Sequence, residues 1–218
     1  MEFFTLIKRV APGGGCLKII RRGRRCIRTS EIGAFRGPGK KMNEQLRKNL
    51  RKEEGKDSQA TAGILDSQSV KTTSVAGIRG YDGGKRVVGR KRHILVDTLG
   101  LLMTVVVHAA DIQDRDGALL VLQKILGKFT KLKLIWADGG YCGDFIKLAK
   151  ILFCRTVEVV LRTDTFKGFK VVRKRWIVER TFAWLLNYRR HSRDYERLPE
   201  TSEAMVYISM IHLMLRRI

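Results

Sequence analysis

Acidic residues are scarce in this chain, 21 Asp and Glu against 44 Lys and Arg, so where they fall carries information. Asp66 follows Ile64-Leu65 in a stretch that reads as a strand. Asp138 ends the most apolar such stretch, KLKLIWAD, just before Gly139 and Gly140. Ligands of open α/β sheets collect beyond the carboxyl ends of strands, and the glycines admit close approach of a backbone or a phosphate. Glu179 lies in a predicted helix over residues 173–190, with Trp176, Phe182, Ala183 and Leu186 at i−3, i+3, i+4 and i+7. A carboxylate amid an apolar face is costly unless it is paired or metal-bound. Each acid also has an ordinary reading: Asp before Gly caps a turn, and Glu179 can pair with Arg175 one helical turn earlier. Gathered at one end of a sheet, the three would repel one another and recruit a hard divalent cation, Mg²⁺ or Mn²⁺. Two such ions can activate an oxygen nucleophile and stabilise a leaving oxygen.

The elements that must position these acids follow from apolar periodicity. AGILDSQSV, HILVDTLG and LLMTVVVHA read as strands, the last two joined by a turn at Thr98-Leu99-Gly100. A helix is expected over Asp114–Phe129, then the strand ending at Asp138, a helix over Phe145–Phe153, a strand at VEVVLR, the helix over residues 173–190, and a last helix over Thr201–Arg217 opened by Pro199 and a Thr/Ser cap. Met205, Ile208, His212 and Leu215 mark the expected core face of that last helix. A meander leading into alternating α and β elements predicts a mixed sheet with helices on its faces. Asp97, Asp111, Asp114 and Asp116 are the acids most easily confused with the three above, and Asp114 and Asp116 are expected to cap a helix. His93 and His108 flank strands and read as structural.

The formal net charge of +23 strains a compact chain unless a polyanion is near. Nucleic acid is the commonest partner of that kind; an anionic membrane surface and ribosomal-type RNA are the alternatives. The loop Gly77–Arg92 (GIRGYDGGKRVVGRKR) concentrates the charge, and Lys85, Arg86, Arg90, Lys91 and Arg92 are expected to contact phosphates. No apolar run approaches the ~20 residues of a membrane span, and no signal peptide is evident. Cys16, Cys26, Cys142 and Cys154 form no CxxC pair and read as reduced thiols of a cytoplasmic protein.

Three segments differ in character. Residues 1–40 are Gly/Arg-rich and aperiodic, with a basic block at Arg21–Arg25. Residues 41–57 read as a short charged helix with one stripe of Met42, Leu46 and Leu50. Residues 58–218 hold every strand and all three acids.

From about Lys56 to Ile218 the chain resembles the transposases of bacterial insertion sequences, the insertion-sequence-five type of the DDE class. The resemblance is carried by ILDSQSVKTT, RGYDGGKRVVGRKRHILVDTLGLL, HAADIQDRDGA, LIWADGGYCGD, RKRWIVERTFAWL and RRHSRDYERLPETSEAMVYISMIHLMLRR. It implies a ribonuclease-H-like α/β fold, a mixed five-stranded sheet flanked by helices. It also implies Mg²⁺-dependent cut-and-paste transposition, with Mn²⁺ as an alternative ion, by an enzyme acting at the nucleoid. The partners would be double-stranded DNA, both element ends and target, and a second copy of the chain in a homodimer. The family's acids fall on Asp66, Asp138 and Glu179. A Tyr, an Arg and a Lys of related families fall on Val172, Arg175 and Leu186, so only the Arg is kept. Arg175 and Arg180 are expected at the DNA, with Arg189 and Arg190 as further sources of charge. Residues 1–40 lack the N-terminal helical pattern of the family and read as another reading frame joined near Lys41. A catalytically inactive DNA-binding remnant is the alternative reading.

Overall fold

The computed structural model describes residues 29–160 and 174–218, with side chains from residue 37 onward. Cys16, Cys26, the block Arg21–Arg25, Val172 and the last residues of VEVVLR lie outside the described residues.

The sheet starts from β1 (Ala62–Lys71), β2 (Gly80–Asp82), β3 (Val87–Asp97) and β4 (Leu102–Ala109). β1 and β4 flank β3 in antiparallel pairs; β5 (Leu134–Ala137) then runs parallel to β1, and β6 (Thr156–Val159) parallel to β5. The long strands are thus ordered β4-β3-β1-β5-β6. A meander continued by parallel strands through helical crossovers is the ribonuclease-H-like arrangement. The sheet has six strands, where five were expected. The extra one is β2, formed because the supposed loop Gly77–Arg92 folds back and pairs Gly80 with Gly89 and Asp82 with Val87.

Side chains alternate across a strand, and both faces of this sheet are apolar. Ile64, Ile94, Val96, Val105 and Val107 face one core, built with α1 (Thr29–Glu53), α4 (Trp176–Leu186) and α5 (Pro199–Leu215). Leu65, Leu95, Met103 and Val106 face the other, with α2 (Asp114–Ile125) and α3 (Asp144–Phe153). This two-faced burial explains why LLMTVVVHA is continuously apolar rather than alternating. On β1 the same alternation sends Asp66 to the side of Ile64 and Ser67 to the side of Leu65.

Three helices depart from expectation. α1 begins at Thr29, inside the segment expected to be irregular, and carries Pro38 within it. Its stripe is as expected: Leu46 and Leu50 are buried and Met42 packs beside them. α5 has Leu198 at its N-cap with no side-chain cap; the Ser202 hydroxyl donates instead to Asp194 at 2.7 Å. Burial of α5 centres on Val206, Tyr207, Met210, Ile211 and Met214; of the expected stripe, Met205 is buried in a small separate cluster with Ile208 against it, and Leu215 packs at the edge of the main core. Neither Asp114 nor Asp116 caps α2, whose N-cap is Gln113.

Candidate active site

Asp66 sits within β1, Asp138 directly follows β5, and Glu179 lies in the first turn of α4. β1 and β5 are parallel neighbours, paired from Ala62↔Leu134 to Ile64↔Trp136, so both Asp residues lie two or more positions beyond the last paired residue, on the carboxyl side. α4 is fixed to the sheet by its contacts with the β3–β4 turn, which lies toward the start of β1, where Asp97 pairs with Gly63. The Thr181 hydroxyl donates to Gly100 O at 2.8 Å, and Arg180 Nη2 donates to Leu99 O at 3.1 Å. Gly100 has φ +81°, and a Cβ there would lie 2.8 Å from Thr181 Oγ1, so only glycine allows both the turn and the docking.

One atom gathers the three acids. Arg175 Nη2 lies 3.8 Å from Asp66 Oδ2, 3.6 Å from Asp138 Oδ2 and 3.7 Å from Glu179 Oε1. The remaining oxygens of the two Asp residues take backbone donors. Ser67 N donates to Asp66 Oδ1 at 2.7 Å, and Gly140 N donates to Asp138 Oδ1 at 2.9 Å. Asp138 therefore also plays the ordinary turn-capping part, as N-cap of the short 3₁₀ turn Gly139–Tyr141.

Burial differs sharply across the three. The Asp66 side chain is 13% exposed, that of Asp138 29% and that of Glu179 46%. Burial, reinforced by the charge of Asp138, pushes the Asp66 carboxyl up to about 6 against the opposing pull of Ser67 N–H, Arg175 and Lys85. Glu179 overturns the reasoning that singled it out. It does not interrupt an apolar face: Trp176, Ala183 and Leu186 are exposed with it, and α4 buries Ile177, Val178, Thr181, Phe182 and Leu185. Its ion pair with Arg175 is present, shared with the two Asp residues.

The expected phosphate contacts divide. Arg90, Lys91 and Arg92 are not available to DNA, because they lie inside β3 and are buried. Arg90 donates to Ile78 O, Glu196 O and Arg197 O at 2.7–2.8 Å and pairs with Asp194. Arg92 donates to His191 O at 3.1 Å. Lys91 donates to Ile112 O at 2.8 Å and pairs with Asp114 at 3.0 Å. Lys85 and Arg86 are exposed in the β2–β3 turn, and Lys85 Nζ reaches Ser67 O at 3.4 Å, beside the acids. Arg180 stacks between Trp176 and Trp184, its guanidinium carbon 4.5 and 4.6 Å from the ring centres.

Beneath the acids lies a polar layer that the sequence did not reveal. Ser67 Oγ donates to Asp114 Oδ1 at 2.9 Å. Tyr141 OH lies 3.3 Å from His93 Nδ1, and His93 stacks on His108 with ring centres 4.9 Å apart. Burial and the neighbouring His108 bring His93 down to about 3, and burial also lowers His108. Burial raises Asp114, but bonds from Lys91 and Ser67 more than offset it and leave the carboxyl below its ordinary value. The only signal in the sequence was that Ser67 follows Asp66 and must face the other way. Asp97, the remaining acid open to confusion, accepts from Leu99 N and Leu101 N and pairs with Arg51 at 3.0 Å, well inside the fold.

The transposase DDE-domain family model matches residues 57–214. The chain belongs to the DDE-domain transposase family. A relative in Burkholderia cepacia, assigned as the transposase for insertion sequence element IS402, is 29% identical over 126 residues, which are 54% of this chain and 59% of the relative. The matched part therefore spans less than two-thirds of that transposase. Among solved structures, the Mos1 mariner paired-end complex with Mn overlaps 98% of this chain and 68% of its own at 10% identity, with a TM-score of 0.35. The Mos1 transposase paired-end complex with the left transposon end gives 98%, 67%, 8% and 0.30 for the same measures. Among the described residues of this transposase-family chain, no helix is long and apolar enough to cross a membrane.

Proposed function

We propose that this chain cuts and joins DNA in cut-and-paste transposition, with Asp66, Asp138 and Glu179 as the carboxylates that hold a divalent cation, Mg²⁺ or Mn²⁺. The observation that carries the reading is the convergence of all three on one cationic atom, Arg175 Nη2, at 3.6–3.8 Å. Three acids around one guanidinium leave negative charge uncompensated. Carboxylate oxygens are also the donors that hard divalent cations prefer. The ion would supply activation of an oxygen nucleophile and stabilisation of the leaving 3′ oxygen. Lys85, Arg86 and Arg175 are among the cations at this end of the sheet, where they would hold phosphates while the carboxylates hold the ion. Double-stranded DNA, element ends and then target, is the substrate class, the nucleoid the place of action, and a homodimer the assembly that would bring two ends together.

Asp138→Asn tests the reading, because it keeps the turn-capping oxygen and removes the charge. The purified variant should melt like the wild type and show no Mg²⁺-dependent cleavage of element-end DNA. Cleavage at the wild-type rate would remove Asp138 from the centre.

One observation favours the second reading, a DNA-binding remnant that does not cut. Among the described residues, no group of three acids, His or Cys is drawn together closely enough to ligate an ion as placed; Asp66, Asp138 and Glu179 stand around Arg175 Nη2 instead. The remnant would bind duplex DNA in a salt-sensitive way and leave it intact at every Mg²⁺ and Mn²⁺ concentration.

A further inference from the structure

Arg175 and Arg90 are held in opposite ways. A guanidinium offers five N–H donors and takes hydrogen bonds wherever they are available. Arg90, fully buried, donates from all three of its nitrogens. Arg175 Nη2 instead sits 3.6, 3.7 and 3.8 Å from three carboxylates, beyond hydrogen-bond length in each case. Its Nε is buried without a partner. The side chain is thus placed by charge alone, at the point between the three acids, and it is 21% exposed. It follows Lys174, whose φ of +72° turns the chain sharply into α4.

A single positive charge at that point offsets only part of what three carboxylates carry. A divalent ion would bring more charge and direct oxygen ligation, but it would meet Arg175 as a like charge at close range. The two cations compete for one place. A phosphate is the group that can draw Arg175 away, since its oxygens accept a guanidinium fork in two parallel bonds that no carboxylate here supplies.

We propose that Arg175 is a built-in counter-cation of the acid cluster, displaced onto a DNA phosphate when DNA binds, so that duplex DNA and divalent metal each tighten the binding of the other. The inference rests on the reading of Asp66, Asp138 and Glu179 as the metal-holding acids. It adds that metal-free protein holds its site closed by charge, and that DNA opens it. Linkage makes the effect reciprocal: whatever factor DNA contributes to metal affinity, metal contributes to DNA affinity.

The test titrates Mn²⁺ alone into the full chain, following free Mn²⁺ by electron paramagnetic resonance, with and without a short blunt DNA duplex. In the wild type, duplex should tighten Mn²⁺ binding about 5-fold or more, the lower end of ordinary coupling between sites. Arg175→Gln should bind Mn²⁺ more tightly than wild type without DNA, and duplex should then add little. Arg175→Lys keeps a charge and loses the fork, so DNA-free affinity should stay near wild type while the coupling shrinks. Arg175→Gln that binds Mn²⁺ no better than wild type, or that keeps the full coupling, overturns the proposal. Asp138→Asn in the same titration separates the two readings. If it weakens Mn²⁺ binding while Arg175→Gln changes nothing, only the counter-cation fails. If it binds Mn²⁺ like wild type, the acid cluster itself is not the metal site and both fail.

Discussion

Two groups of basic residues in this molecule have the same chemistry and opposite circumstances. Along the first half of β3, Arg90 and Arg92 are buried, and backbone carbonyls of Ile78, His191, Glu196 and Arg197 accept their N–H groups. Both reach the buried Asp194, which also accepts from Ser202 and Glu196 N. At the end of the sheet, Lys85 and Arg86 are exposed, and Arg175 makes three ion pairs and no hydrogen bond to a carboxylate. The first group fastens the loop before α5 to the sheet. The second has charge to spare, and that is the property a phosphate-binding surface needs. Density of Lys and Arg in the sequence does not separate the two; burial does.

Breaking the β3 group should cost most. Arg90→Ala removes the nearer of the two cations at buried Asp194 and the donors to three backbone carbonyls, and should lower unfolding free energy by about 3–5 kcal/mol, readable as a shift in the urea midpoint. Arg175→Gln should change stability by under about 1 kcal/mol, since its pairs are long and partly solvated. Equal losses for the two would erase the distinction.

The carboxyl side of the comparison predicts a pH effect. Asp66 is raised in the folded chain to about 6 from an ordinary 3.8. The stability this contributes is full below the unfolded value and is lost as pH rises through the folded one. Asp66→Asn should therefore be more stable than wild type near pH 7.5, by on the order of 2 kcal/mol, with the gap closing near pH 4. Thermal melts of both proteins across that range check it. A variant less stable than wild type near pH 7.5, with that deficit closing toward acid, would mean that Asp66 is held charged.

The smallest effects concern the exposed turn. Lys85→Ala and Arg86→Ala should leave stability within about 0.5 kcal/mol. Each should lower the slope of log affinity against log salt for duplex DNA by about 0.9 if it meets one phosphate. Lys91→Ala should leave that slope alone and cost stability, because its ammonium already serves Ile112 O and Asp114.

The strands were legible because their apolar and β-branched runs are long, and a mixed sheet with helices on its faces followed from a meander leading into α/β alternation; the ribonuclease-H-like order came from the family resemblance. The positions of Asp66 and Asp138 were legible for the same reason, as strand-associated acids; the fold adds that their strands are parallel neighbours. The basic run GRKR was not. Most partners of Arg90 and Arg92 come from residues 191–197, about a hundred positions away, and Lys91 meets Ile112 and Asp114; nothing local distinguishes a strand whose charges are met by such groups from a solvated loop. Glu179 was picked for a reason the fold does not support. A helical wheel shows which residues share a face but not which face is buried, and α4 turns its Ile177, Val178, Phe182 face inward. Asp114 read as a cap because it opens a helix; Ser67 and Lys91, brought to it by the sheet, claimed the carboxylate first.

The central claim is that the three acids act on one cation, and Glu179, the most exposed of them and the one reached by mistaken reasoning, tests it most directly. Mn²⁺ affinity measured on wild type and on Asp66→Asn, Asp138→Asn and Glu179→Gln should fall in all three variants while their melting curves stay cooperative. A Glu179→Gln protein that binds Mn²⁺ as tightly as wild type would contradict the account and leave Glu179 as no more than an ion-pair partner of Arg175.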